Sequence, residues 1–379
     1  MLSAAKDLHL VFRSYPSSLA PVERRPYLGN MRELDQIVST LRSAASRGES
    51  VVLATVMNVE GSVYRGAGAR MIVAANAETI GAVSGGCLEA DIVARAPEVQ
   101  SGGRPELVRY DTRATDDDVL GLGLGCQGMI DVLLEPLGGV PLEKAIAFYD
   151  RLARRREVST LLTLIASPGA SLPIGTRLLL NQRGEVIEGD ERILTHQDDL
   201  AREVVRPAIS LVICGAGADA IPLVRVAKLM GMYVTVIDHR AAFATATRFP
   251  DADIIICTNL STGSESLDRK LTLDQHTMAV VMAHSAVHDR AYLHAMLSAG
   301  AGYIGVLGPR RRAAELLGNG VRIPDSEFPP NVYSPVGLDL GAETPDEIAL
   351  SIVAELAAVT SGRRAGMLRE KSGPIHDRP

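Results

Sequence analysis

Ile209-Ser-Leu-Val-Ile-Cys-Gly215-Ala-Gly217-Ala-Asp-Ala220 runs from an unbroken apolar segment into a glycine turn and then into a helical pattern that reaches Gly231. A β-branched run of this length predicts a buried strand. Glycines at a strand–helix junction let backbone N–H groups approach an anion at the helix N-terminus. Asp238 ends the next apolar run, 233–237, where a dinucleotide-binding fold places a carboxylate on a ribose hydroxyl. Arg240, close by, suits a 2′-phosphate instead. Apolar runs at 253–257, 278–283 and 303–307 alternate with helical patterns around 288–299 and 309–317. That alternation predicts a doubly wound parallel sheet. Thr344-Pro345 opens a long closing helix with proline at its first position. Gly215, Gly217, Ala220 and Asp238 are thus the candidate nucleotide residues, and a nucleotide-binding fold that no longer holds a cofactor accounts for them equally. His284, Ser285, His288 and Asp289 follow a strand's carboxyl end without the spacing of a metal site.

Upstream the pattern changes. Residues 31–47 carry Leu34, Ile37, Val38 and Leu41 at helical spacing, and Gly48 stops the run. Strands are expected at 51–57, 70–74, 79–83 and 129–134, the last ending at Pro136, with a helix at 89–96. Two glycine-rich turns hold one cysteine each: Gly81-Ala-Val-Ser-Gly-Gly-Cys-Leu-Glu89 and Gly121-Leu-Gly-Leu-Gly-Cys-Gln-Gly128. Exposed N–H groups in such turns attract anions, and a thiol among them ionises more easily, giving the form that binds metals or carries sulfur. Two tight hairpins with buried cysteines fit the same residues. Residues 159–189 also echo 55–81. Thr55, Gly61, Ser62, Gly68, Arg70 and Gly81 come in the same order as Gly169, Ser171, Gly175, Arg177 and Gly189 after a Ser-Thr-Leu-Leu-Thr-Leu-Ile run. This is a degenerate internal repeat or a pair of hairpins with similar turns. The second copy lacks a cysteine turn, so the chemistry belongs to the first.

Composition narrows the function classes. The chain has 379 residues, 46% apolar and 22% charged, with a net charge of −6. That length supports two or three domains with full cores. An acidic balance without a basic stripe argues against nucleic acid as a partner, and no apolar run is long enough to span a membrane. Cys87, Cys126, Cys214 and Cys257 are too few and scattered for a disulfide framework or a zinc pair, so reduced thiols in the cytoplasm are expected. Cys214 and Cys257, at strand ends, read as packing residues. Residues 1–30 lack a signal-peptide core, contain several prolines and precede Met31, so they read as a disordered leader with Met31 as the functional start. The expected layout is a leader at 1–30, a mixed α/β domain with the cysteine turns at 31–200, a linker at 201–208, a Rossmann-like domain at 209–362 and a tail at 363–379.

The motifs taken together resemble the XdhC/CoxI family, accessory proteins of xanthine dehydrogenase and carbon monoxide dehydrogenase. The residues that carry the resemblance are Leu53-Ala-Thr-Val56, Gly61-Ser62, Arg65, Gly68-Ala-Arg-Met71, Ser84-Gly-Gly-Cys-Leu-Glu89, Gly123-Leu-Gly-Cys126 and Leu134-Glu-Pro136. The C-terminal half adds Gly215-Ala-Gly217, Asp238-His-Arg240, Tyr303-Ile-Gly-Val-Leu-Gly308 and Pro335-Val-Gly-Leu-Asp-Leu-Gly-Ala-Glu-Thr-Pro345. The chain departs from the family's pattern at Gln127, Tyr64 and Pro309.

The resemblance implies a chaperone that binds molybdenum cofactor (molybdopterin type), protects its terminal sulfur and passes it to a molybdenum hydroxylase. It implies Cys126 as the metal-side ligand, with Cys87, Gly85, Gly86, Gly125, Ser62, Arg65 and Arg70 around the cofactor. Arg65 and Arg70 would offer forked donors to its phosphate. Xanthine or carbon monoxide dehydrogenase is the client, a cysteine desulfurase a further partner and a homodimer the expected assembly. An accessory role rather than catalysis explains why no acid–base pair stands out. The rival is an NAD(P)-dependent oxidoreductase, or a xanthine dehydrogenase-associated subunit, using the C-terminal sheet. The chain is too short, and lacks the cysteine clusters, to be a whole xanthine dehydrogenase. Cys87 and Cys126 are expected to share an interdomain cleft with Arg65 on its rim.

Overall fold

The computed structural model describes residues 29–61, 63–111, 128–166, 172–260, 271–318 and 328–372. Helix α1 (Gly29–Ser46) begins ahead of Met31 and buries Leu34, Ile37, Val38 and Leu41, the stripe that a 3.6-residue period places on one face. Strand β1 (Val51–Gly61) outruns the apolar run that marks it, because its second half stays paired beyond a bulge at Val56/Asn58. With β2 (Arg70–Ala74), β3 (Thr79–Gly81), β4 (Glu106–Asp111) and β5 (Gly128–Leu137) it forms an antiparallel sheet of order β3-β2-β1-β5-β4. Helix α2 (Glu89–Gly102) continues through Pro97, past the expected end at 96, and lays Ile92, Ala96 and Val99 on one face of that sheet.

Helix α3 (Gly139–Ala153) leads into a second antiparallel sheet built from β6 (Ser159–Leu164), β7 (Arg177–Asn181), β8 (Val186–Gly189) and β9 (Leu200–Val205), in the order β8-β7-β6-β9. The linker expected at 201–208 is corrected here. Leu200–Val205 pairs antiparallel with β6 and alternates half-buried with buried side chains, the period-2 pattern of a strand with one face on a core. Its charged residues, Arg202 and Glu203, hid that alternation. One core joins the two sheets: Leu34, Ile37, Tyr149 and Leu152 of α1 and α3 pack on Val51, Leu53 and Ile72 of the first and on Leu161, Leu179 and Val205 of the second.

With β4 set aside, the two sheets match in strand order, β3-β2-β1-β5 against β8-β7-β6-β9, and in register. Arg70 stands opposite Thr55 in the β1–β2 pair, and Arg177 stands opposite Thr163 in the β6–β7 pair. Glu135 faces Leu53, and Glu203 faces Leu161. These positions meet reciprocally. Arg70 of the first sheet donates to Glu203 of the second, and Arg177 of the second donates to Glu135 of the first. Tyr149 lies between them, its hydroxyl 3.1 Å from an Arg177 guanidinium nitrogen and its ring 5.1 Å from the Arg70 guanidinium carbon.

The C-terminal unit is a parallel sheet of β10 (Ser210–Cys214), β11 (Tyr233–Asp238), β12 (Ile254–Cys257), β13 (Thr277–Val281), β14 (Tyr303–Val306) and β15 (Val332–Tyr333). The order β12-β11-β10-β13-β14-β15 reverses direction between β10 and β13, which is doubly wound Rossmann topology. Helix α4 (Ala220–Leu229) and the closing α7 (Pro345–Ser361) cover one face, and α5 (Ala286–Ser298) and α6 (Arg310–Leu317) the other. Helix α7 starts with a capping box in which the Thr344 hydroxyl accepts from the Glu347 N–H and the Glu347 carboxylate accepts from the Thr344 N–H. Among the described residues no helix is long and apolar enough to cross a membrane.

Candidate functional site

The first cysteine turn leaves β3 and ends at the N-terminus of α2. It does not present an empty ring of N–H donors. The N–H groups of Gly86, Cys87 and Leu88 all lie 3.1 Å from Ser84 Oγ. That hydroxyl donates to the Glu89 carboxylate, which also accepts from the N–H groups of Val83 and Ser84. The anion that this turn attracts is therefore the protein's own Glu89. Burial opposes the charge on Glu89, yet the Ser84 hydroxyl and the surrounding N–H groups hold its carboxyl below the ordinary value. The outcome is a braced loop that presents Cys87. Its thiol is free and half-buried, 3.4 Å from Ser84 Oγ. Beside it Gly86 adopts φ +112, left-handed backbone that favours glycine, and among the described residues nothing lies within 4 Å of where its Cβ would stand.

Arg65 and Arg70 part company. Arg65 is partly exposed on the loop between β1 and β2 and is ion-paired with Glu33 of α1. Arg70 is 1% exposed, and its guanidinium is spent on Glu203 and the Gly68 carbonyl. Burial alone would drive the proton off Arg70, and Glu203 outweighs it, so the charge is held more firmly than usual. The role expected of Arg70, a phosphate donor, is corrected to that of an internal tie between sheets. Gly85 lies under the Tyr64 ring. Ser62, Gly125 and Cys126 lie outside the described residues, and with them the expected Cys87–Cys126 cleft. Sequence reasoning passes over Glu33, Tyr149 and Glu203, and it quotes Ser84 and Glu89 within the motif without giving either a role. Glu89 could have been found from its place in the first turn of a helix that follows a glycine run, where a carboxylate meets unpaired N–H groups.

At the other candidate site, Gly215 takes φ +127, and a Cβ there would stand 2.6 Å from the backbone of Met282 and Ala283, so close strand approach demands this glycine. Ala220 is fully buried where α4 meets the sheet, a packing position. Asp238 is fully buried, and its carboxylate accepts from the N–H groups of Ala216 and Arg240 and from Nε and Nη2 of the Arg240 guanidinium. Burial raises its pKa, but these donors win and hold the carboxyl at about 2. The expected role of Asp238 on a ribose is corrected, since its buried carboxylate is already taken up by these donors; Arg240 commits its Nε and Nη2 to that carboxylate, and the nicotinamide reading gains no support. The clasp contributes stability in full above the ordinary carboxyl value of 3.8 and loses it as pH falls toward about 2. Acid titration of unfolding should show that loss in the parent, and Asp238→Asn should be less stable at pH 7 with a flatter acid limb. An unchanged acid limb would remove Asp238 from the clasp.

Nearby, His284 has left-handed backbone at φ +58, and its Nε2 lies 2.7 Å from Asp219. His288 meets Ser285 Oγ at 2.9 Å and stacks on His239 at 3.5 Å. Burial first, and then the neighbouring His288, lower the basicity of His239. Among the described residues no group of three histidine, cysteine or carboxylate side chains converges as a metal site. Cys214 is fully buried, its thiol pushed up by burial, as a packing residue should be. Cys257 is exposed at the carboxyl end of β12, which corrects its reading as a packing residue.

Known proteins share this architecture. The family described as "XdhC and CoxI family" matches residues 44–111, and that described as "XdhC Rossmann domain" matches residues 211–356. A Bacillus subtilis protein, named as a probable subunit of xanthine dehydrogenase, is 33% identical over 323 residues, covering 81% of this chain and 92% of the relative. The molybdenum cofactor insertion chaperone PaoD of Escherichia coli is 26% identical over 317 residues, covering 83% of this chain and 85% of PaoD. A crystal structure titled as a xanthine dehydrogenase from Bacillus halodurans superposes with a TM-score of 0.71 at 30% identity, covering 86% of this chain and 96% of that one. On the strength of its turns, its sheets and these matches, the chain belongs to the XdhC/CoxI family.

Proposed function

We propose that this protein binds molybdenum cofactor through its first domain, protects the sulfurated form and delivers it to a molybdenum hydroxylase. The observation that carries the reading is the braced Ser84–Glu89 turn, which presents a free, half-buried thiol next to the left-handed Gly86. The chaperone name of the Escherichia coli relative supports it. The cofactor, when bound, brings a phosphate, a pterin and a molybdenum centre with soft sulfur ligands, for which thiols are matched partners. Cys87 supplies one soft donor and Arg65 a partly exposed guanidinium; Cys126 is proposed as the second thiol and the metal-side ligand. The proposal extends to a xanthine or carbon monoxide dehydrogenase client, to a cysteine desulfurase as sulfur source and to a homodimer.

Uptake tests it. The parent chain should take up about one cofactor per chain, and Cys126→Ala should lose cofactor or its sulfur more readily than Cys214→Ala. Equal retention in the two variants removes Cys126 from the site, and no uptake by the parent ends the reading. Purification from the native host, with mass spectrometry of partner and ligand, checks client, desulfurase and assembly.

A further inference from the structure

Tyr64 is 71% exposed, a large aromatic ring left in water beside the cysteine turn. It is nonetheless held from both sides. Val63 before it is buried in the core of the first sheet, and Arg65 after it is ion-paired with Glu33 on α1. The ring lies over Gly85, at a separation where a Cβ on that residue would stand 3.5 Å from Tyr64 Cγ, an ordinary contact. That places the ring over the turn two residues before Cys87. An aromatic side chain has few rotatable bonds, so a braced ring offers contact area at little further entropic cost, and planar heterocycles stack on such rings.

We propose that Tyr64 is the stacking platform for the planar heterocycle of the bound ligand, the pterin in the reading above on which this inference rests, and that it positions the ligand's other end toward Cys87. It is a positioning residue, acting through contact with the ring rather than on the reacting atoms.

The sequence contains no tryptophan, so Tyr64→Trp installs the one indole of the chain at this position. Titrating that full-length variant with pterin-6-carboxylate should quench the indole emission saturably, beyond the loss seen for N-acetyltryptophanamide at equal pterin absorbance. In the parent background, Tyr64→Phe should bind molybdenum cofactor as the parent does, and Tyr64→Ala should bind about tenfold or more weakly. Circular dichroism and the Cys87 alkylation rate, unchanged in all three variants, would show the turn intact. Quenching no greater than the control, or parental cofactor affinity in Tyr64→Ala, overturns the platform while leaving the chaperone reading in place. A parent chain that takes up no cofactor overturns both.

Discussion

Arg70→Met is expected to cost the N-terminal domain about 3–5 kcal/mol, because it strands the Glu203 carboxylate in a core without a counter-charge. Arg70 is 1% exposed and Glu203 9%, so neither charge can turn to water when its partner is removed. Urea unfolding followed by hydrogen exchange of the β6 and β9 amides measures the loss in the domain concerned, since a chain with two cores need not unfold in one step. Replacing both partners, Arg70→Met with Glu203→Leu, should recover much of it, because apolar side chains of similar volume carry no desolvation cost. A single variant within about 1 kcal/mol of the parent would show that the pair holds nothing together. Arg177→Met should behave in the same way through Glu135. The two losses should not add, since both guanidinium groups pack on Tyr149.

Gly215→Val should destabilise the C-terminal domain by about 3 kcal/mol or more, from a strained backbone and a collision that no rotamer relieves. The clash is with main chain, at the crossing where β10 gives way to α4 and β13 ends. Gly217→Ala makes the contrast. Its Cβ would meet the Asp219 carboxylate at 2.5 Å and the His284 ring at 3.9 Å, both side chains that can swing away. Thermal unfolding of the two variants should therefore differ widely. Equal, small shifts would mean that the β10–β13 approach is looser than this geometry, and that the glycines serve a ligand instead of the fold.

The parallel domain was legible residue by residue. Its strands read as continuous apolar runs because both faces of the sheet are covered, and the helices between them carry ordinary periodic stripes. The short β15 was not legible, since two residues carry no period. In the first domain the turns announced themselves through glycine and cysteine. What their donors do there was hidden, because Ser84 and Glu89 are close in sequence yet join several N–H groups only once the loop has closed around them.

Runs of β-branched residues, helical stripes, glycine turns and the Thr344-Pro345 start are local properties, and they alone specify a mixed α/β half followed by a Rossmann half. The choice of partners for buried charge is not local. Arg70 and Arg177 look alike in sequence as exposed donors do, and Asp238 looks like a ribose ligand. Each was assigned its role by a residue distant in the chain or by the burial that sheet packing imposes: Glu203, Glu135, and the Ala216–Arg240 clasp. A buried charge must find a counter-charge or donors wherever the fold brings them, and sequence spacing does not encode which element that will be.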